Sequence, residues 1–235
     1  MDSTSIGISE NFRQSFAFTK ENLLGKILNW VILFVLAFFT GTFLTELFPN
    51  LELLWAVLTI AAAVIMGGII IRIYAGGEVT FASFGTVVRK GIGYNVAALV
   101  YSLPTLILTF ISVAVMLIPL AGEQPGALAA GIGVGILLLI AAIIVLLITN
   151  FLMIPAAVNY AHSTGIGGAF KFSEIFARLE KAGWGETIGS YLIFLVIGML
   201  LTAVMYIPAV GGILYALAYP FLLVLQAKYF ANLLS

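Results

Sequence analysis

The chain contains no cysteine, which excludes disulfide bonds, thiolate metal ligands and cysteine nucleophiles. Its one histidine, His162, has no cluster of carboxylates beside it in the sequence that would complete a metal site. We therefore expect no catalytic residues, no metal and no cofactor, and we predict that the protein is not an enzyme. No nucleic-acid-binding motif occurs, so nucleic acid is not an expected partner.

Charged residues are scarce as well: they make up 9% of the 235 residues, whereas hydrophobic residues make up 63%. Because so little polar material cannot cover a water-soluble globule of this size, the lipid bilayer is the expected solvent. A run of about 20 apolar residues crosses the hydrocarbon layer as a helix. Six such spans are predicted, near residues 27–48, 51–74, 95–120, 128–160, 187–210 and 213–229. The predicted fold is an all-α polytopic membrane bundle of six transmembrane helices, with residues 1–235 forming a single transmembrane domain.

Positive charge is confined to one side of this six-span map. All ten Lys and Arg residues fall on that side, whereas the opposite loops carry Glu46, Glu52 and Glu123. Because Lys and Arg are retained in cytoplasmic loops, the basic side is predicted to be cytoplasmic. We therefore expect a multi-pass protein of the cell membrane with both termini, including the segment 1–26, in the cytoplasm.

One pattern occurs three times along the chain. It consists of an aromatic amphipathic segment, a basic residue near glycine, a span, a proline turn and a returning span that ends in tyrosine. The three tyrosines are Tyr74, Tyr160 and Tyr229, and each phenol is expected to reach the lipid headgroups. The repeat predicts three helical hairpins, each preceded by a cytoplasmic amphipathic helix.

The amphipathic segments could either anchor in the lipid interface or only cap the inner end of the bundle. In the first segment, Phe12, Phe16 and Leu23 fall on one helical face. Apolar residues recur with helical spacing in the other two segments, at Phe81, Phe84 and Val88 in the second and at Phe172, Ile175, Phe176 and Leu179 in the third. The predicted membrane-interface anchors are Phe81, Phe84, Arg89, Lys90, Phe172, Phe176, Arg178 and Lys181.

No ionisable residue is predicted near the middle of a span, which argues against pumps and proton-coupled carriers. The deepest polar residue is Asn150, at about 15 Å from the inner end of its span by helical rise. Together with Thr149, Tyr101 and Ser102, it is expected either to line a solute path or to make interhelical polar contacts. The glycines of residues 131–135 would allow close helix packing and permit self-association.

Two blocks of the sequence resemble a known family. Residues 67–72 (GGIIIR), 81–91 and 101–104 (YSLP) are similar to one motif block of domain of unknown function 4013, a prokaryotic and mainly archaeal multi-pass membrane family. The segments 154–157 (IPAA) and 160–172 are similar to a second block. Here TFASF at 80–84 stands where the family has Leu-Pro-Glu-Phe. The resemblance implies an integral membrane protein and supplies no activity.

The favoured role is a non-enzymatic membrane scaffold or accessory subunit that acts through the lipid bilayer, a protein partner or self-association. A transporter or channel for a small neutral or lipidic solute is the alternative. A third class, an intramembrane enzyme, would depend on His162 and the cytoplasmic glutamates.

Overall fold

The computed structural model describes residues 7–40, 49–118, 125–208 and 210–235. Every regular element in these ranges is helical, so the all-α prediction is confirmed. The α-helices are α1 Ile8–Leu23, α2 Ile27–Thr40, α3 Glu52–Tyr74, α4 Phe84–Leu117, α5 Pro125–Ala161, α6 Phe172–Ala182, α7 Trp184–Val204 and α8 Gly211–Leu234. Short 3-10 helices occupy Pro49–Leu51 and Ile166–Phe170.

Five of these helices are long and apolar enough to cross a membrane, namely α3, α4, the part Ala130–Ala161 of α5, α7 and α8. Helices α1 and α2 satisfy the same criteria only as a pair, and they are bent by 93° at the break between them. The polytopic membrane bundle is therefore confirmed, with five or six candidate spans. The outer end of the first predicted span, residues 41–48, lies outside the described residues.

The second amphipathic segment does not form a separate helix, which corrects the predicted start of the third span at residue 95. Helix α4 begins at Phe84 and continues without a break to Leu117. The glycines explain the difference between the copies. Gly183 adopts φ +87° and lets the chain turn between α6 and α7. Gly91 is helical instead, and a Cβ there would overlap the backbone carbonyl of Val64 on α3. In the second copy, glycine therefore serves close helix packing rather than a turn.

Unit 1 of the structure comprises the chain up to Asn95 together with Pro155–Ser235. Helix α8 is central to this unit, because it packs against α1, α2, α3, α6 and α7. Its side chains Val224 and Phe230 are completely buried. The C-terminal half of α8 therefore holds the elements of unit 1 together through apolar burial.

The three repeat tyrosines are buried in unit 1, which corrects the expectation that they reach the headgroups. Tyr74, Tyr160 and Tyr229 are at most 6% exposed. The Tyr160 hydroxyl donates to the Lys90 carbonyl at 3.3 Å, and the Tyr229 hydroxyl lies 2.9 Å from that of Ser190. The phenols of Tyr160 and Tyr229 thus make hydrogen bonds to neighbouring helices inside the protein.

Unit 2 comprises Val96–Ile154, which include the C-terminal part of α4 and most of α5. Ser112 Oγ donates to the Gly135 carbonyl at 2.6 Å, and the side chain of Met116 lies against the same glycine. Burial is sparse in the most apolar windows of these two helices, at 6% for α4 and 11% for α5. Because α4 and α5 run through both units, the division does not test the single-domain prediction.

Candidate functional site at the basic end

All ten Lys and Arg residues lie in unit 1, and we call the end of the unit that carries them the basic end. Two helices that do not match the length of a span, α1 and α6, are found there, and both pack against α8. We refer to α1, α6 and residues 229–235 of α8 as the basic platform. It is the most polar part of the described chain.

Helix α1 packs against α8 through its uncharged polar residues. These residues are at most 2% exposed and are spaced four, four and three apart, namely Asn11, Ser15, Thr19 and Asn22. Asn11 Nδ2 donates to the Tyr229 carbonyl at 3.2 Å, and Asn232 Nδ2 donates to Asn11 Oδ1 at 3.0 Å. Ser15 Oγ also donates to Asn11 Oδ1, at 3.3 Å. The contact is thus built on a buried amide network. Two aromatic contacts add to it, that of Phe16 with Phe221 and that of Lys228 Nζ with the Phe18 ring at 5.0 Å.

The C-terminal end of α1 is bonded to the connection that follows α3. The backbone N–H of Val79 donates to Asn22 Oδ1 at 3.1 Å. Asn29 Nδ2 donates to the Val79 carbonyl at 2.7 Å, and Lys26 forms an ion pair with Glu78 at 2.5 Å. Residues on both sides of the 93° bend are thus bonded to the same connection. These bonds fix the angle between α1 and α2.

The aromatic face of α1 is only partly exposed, because the Phe16 ring packs edge-on against Phe221 of α8 at 5.4 Å between centroids. Phe12 and Phe16 are 42% and 45% exposed, and Ile8 on the preceding turn is 52% exposed. Leu23, which the sequence placed on this face, is instead completely buried. The charged side chains Arg13 and Lys20 are exposed on a further side of the helix. Helix α1 therefore has three faces, one buried and polar, one exposed and aromatic, and one exposed and charged.

Helix α6 is also divided by its contacts. Ile175 and Leu179 are completely buried, whereas Phe172 and Phe176 are 49% and 41% exposed. The ring of Phe176 stacks on that of Trp184 at 5.9 Å between centroids. The aromatic residues form one flank of α6, and helical geometry places its charged residues on the opposite flank.

The charged flank of α6 borders an open groove of about 430 Å³. The groove is lined by Asn159, Glu174, Ala177, Arg178, Lys181 and Ser235. Arg178 Nε donates to Asn159 Oδ1 at 3.0 Å, and its Nη1 donates to the Leu234 carbonyl at 2.8 Å. Asn159 Nδ2 in turn donates to Glu174 Oε2 at 2.9 Å. Arg178 thereby joins α5, α6 and α8 by charge-assisted hydrogen bonds.

Two ionisable groups, Glu174 of α6 and His162 after α5, have shifted pKa values. The hydrogen bond from Lys171, followed by that from Asn159, holds the pKa of Glu174 below its ordinary value. Burial, together with the positive charge of Arg178, lowers the pKa of His162. Glu174 is therefore ionised and His162 neutral at neutral pH. Within the described ranges, no three His, Asp or Glu side chains are grouped so that they could hold a metal ion.

The predicted interface anchors divide into two groups in the structure. Phe84, Phe172, Phe176, Arg89 and Lys181 are exposed, as an anchor requires. The other three, Phe81, Lys90 and Arg178, are half-buried. Lys90 Nζ donates to the Ser163 carbonyl at 3.2 Å and lies 4.6 Å from the centre of the Tyr160 ring. Lys90 and Arg178 thus hold elements of unit 1 together.

The four residues predicted to line a path or make interhelical contacts all lie in unit 2. Three of them bond to carbonyls of their own helix: Ser102 to Leu99, Thr149 to Val145 and Leu146, and Asn150 to Leu146. Tyr101 is buried, with 8% of its surface exposed. Asn150 is exposed on α5, so it faces outward.

The sequence analysis missed the polar stripe of α1. Its signal was present, because Asn11, Ser15, Thr19 and Asn22 recur with helical spacing and none of them is charged. Only the apolar residues Phe12, Phe16 and Leu23 of this segment were considered in the sequence. Their partner, Asn232, is more than two hundred residues away in the sequence.

The apolar spans, together with the polar basic end, define a helical integral membrane protein. The chain belongs to the family described as Protein of unknown function (DUF4013), whose family model matches residues 53–224 and confirms the resemblance seen in the sequence. The match runs from α3 into α8, so α1 and its contacts on residues 229–235 lie outside it. No curated protein and no solved structure matches the chain.

Proposed function

We propose that the protein is a non-enzymatic membrane scaffold of the cell membrane, with its basic end in the cytoplasm, that acts through contacts with the inner leaflet. One observation supports this role most strongly. Helix α1 buries its polar stripe and exposes Phe12 and Phe16, which reverses the arrangement expected of a helix packed on a water-soluble surface. Exposed phenylalanines beside basic residues are typical of helices that lie in a membrane interface.

The aromatic flank of α6 gives the same indication. Phe172, Phe176 and Trp184 are each at least 40% exposed, and they follow one another on one side of the chain. Insertion of these rings between lipid headgroups and acyl chains would remove apolar surface from water. The two aromatic faces together would hold the basic platform against the leaflet.

The transporter alternative receives no comparable support. The polar residues proposed for a solute path bond mainly to their own helices, and Asn150 is exposed on the surface of α5. The groove of about 430 Å³ is lined by Asn159 and by residues of the basic platform, and its lining does not include them.

Orientation is tested first by labelling with a membrane-impermeant maleimide, since the natural chain has no cysteine. Gln14→Cys is exposed on α1, and Glu52→Cys is exposed at the first residue of α3. We expect Glu52→Cys to react in intact cells and Gln14→Cys to react only after permeabilisation. Reaction of both variants from the same side would overturn the proposed orientation.

The role itself is tested by native mass spectrometry of tagged protein extracted gently from its own membrane. We expect retained phospholipid on the wild-type protein and less on a Phe12→Ser/Phe16→Ser variant. A Gln14→Ser variant is the matched control, because residue 14 is exposed on the charged side of the same helix. Stoichiometric retention of a water-soluble small molecule, with no lipid dependence on Phe12 and Phe16, would replace the scaffold with the transporter.

A further inference from the structure

Asn150 has an unusual position for an amide in a membrane protein. It lies on an exposed face of α5 in unit 2. Its Nδ2 donates one hydrogen bond, to the Leu146 carbonyl on the preceding turn at 2.9 Å. An asparagine amide has a second N–H and an acceptor oxygen. Within the described part of the chain, neither of these groups has a partner.

The surroundings of Asn150 cannot satisfy the amide. The segment 136–148 consists entirely of Ile, Leu, Ala and Val, so this part of α5 lies in the hydrocarbon layer. Lipid tails offer neither donors nor acceptors, and an unpaired amide in hydrocarbon is strongly unfavourable. The exposed amide therefore calls for a polar partner supplied from outside the monomer.

The same face of α5 has the geometry of a helix–helix interface. Gly133, Ile136, Ile140 and Ile143 are all exposed and follow one another at intervals of three, four and three residues. Asn150 continues this heptad, because it comes seven residues after Ile143. The opposite face carries Ala142, which is buried. An apolar heptad seam with one polar position is the pattern of left-handed helix pairs, in which a buried asparagine fixes the register.

We propose that this face of α5 binds a second copy of the chain and forms a parallel homodimer in the membrane, with the two Asn150 side chains hydrogen-bonded to each other. A twofold axis along the membrane normal brings identical residues of the two seams together. Because an amide is its own complement, the free N–H of one Asn150 meets Oδ1 of the other. A lipid or an apolar partner helix would leave both groups unpaired. The proposal does not depend on the role of the basic platform.

Disulfide trapping in native membranes tests the geometry. Ile143→Cys lies on the seam, whereas Ile148→Cys has similar exposure, 52% against 56%, but projects from another side of α5. With a membrane-permeant copper oxidant, we expect the Ile143→Cys chain to give a dimer of twice the mass and the Ile148→Cys chain to remain monomeric. Equal trapping of the two variants, or trapping of neither, would overturn the proposed seam.

Energy transfer between labelled chains in liposomes tests the role of the amide. Both labels are attached at Gln14→Cys, which is outside unit 2, and the lipid-to-protein ratio is varied. We expect Asn150→Leu to weaken the dimer by about 3- to 20-fold, which is the range measured for interhelical hydrogen bonds in membranes. Thr149→Val should stay within about twofold of the wild type, because the Thr149 hydroxyl already bonds to Val145 and Leu146 of its own helix.

Three results would contradict the proposal. The first is a monomer at every lipid-to-protein ratio. The second is a dimer whose stability is the same with Asn150 and with leucine at that position. The third is cross-linking of Ile143→Cys in native membranes to a different protein instead of to a second copy.

Discussion

Replacing Asn11 with alanine should weaken the packing of α1 on α8 while leaving the spans folded. The Asn11 side chain makes a bond to the Tyr229 carbonyl and accepts bonds from Asn232 and Ser15. Alanine removes the first bond and leaves Asn232 Nδ2 with only a contact of 3.5 Å to Ser15 Oγ. One lost bond and one poorly satisfied buried donor together cost about 2–4 kcal/mol.

Hydrogen exchange followed by mass spectrometry measures this loss directly. If α1 exchanges by local opening, its amides should exchange about 30- to 1000-fold faster in the Asn11→Ala variant, whereas those of α8 should change little. Gln14→Ala is the control, because Gln14 is exposed and its side chain bonds only to Glu10. Equal exchange in the two variants would refute the conclusion that the amide network holds α1 in place.

Three further predictions concern the basic end. Gly91→Ala should destabilise the fold by about 3 kcal/mol or more, because its Cβ would overlap backbone atoms of α3. Gly85→Ala on the same helix meets nothing within 4 Å and should be neutral or stabilising. Thermal unfolding in detergent distinguishes the two variants. Arg178→Lys should lower stability by about 1–3 kcal/mol, since lysine cannot span both acceptors, whereas Lys181→Arg should have little effect in the same assay. Because burial lowers the pKa of His162 from 6.5, the folded state resists its protonation, so the unfolding temperature should fall as the pH drops below about 6.5, and less so in His162→Gln. A decline of equal slope in His162→Gln would assign this pH dependence to other groups.

The spans were predictable because length and hydropathy alone determine which segments cross a bilayer. The start of α4 was not, because the same residue type ends α6 at Gly183 and continues α4 at Gly91. Gly91 stays helical because α3 packs closely against it, and the position of α3 is set by tertiary packing that the local sequence does not reveal.

The basic platform was only partly predictable for a similar reason. Helical spacing identified Phe172, Ile175, Phe176 and Leu179 as one apolar stripe, but in the structure the two phenylalanines are exposed and the two aliphatic residues are buried. The contact of Tyr229 with Ser190 on α7 and the bond of Arg178 to Leu234 on α8 join residues that are far apart in the sequence. Helical periodicity identifies the faces of a helix, but it does not reveal which face meets protein and which meets lipid.

The central claim is that the exposed aromatic face of α1 lies in the membrane interface. A nitroxide scan along α1 in liposomes tests it most directly, with single cysteines placed at Phe12, Gln14 and Phe16 in the cysteine-free chain. We predict that labels at residues 12 and 16 are accessible to oxygen and protected from a water-soluble nickel relaxant, and that the label at residue 14 shows the opposite. High nickel accessibility at all three positions would place α1 in water and contradict the account.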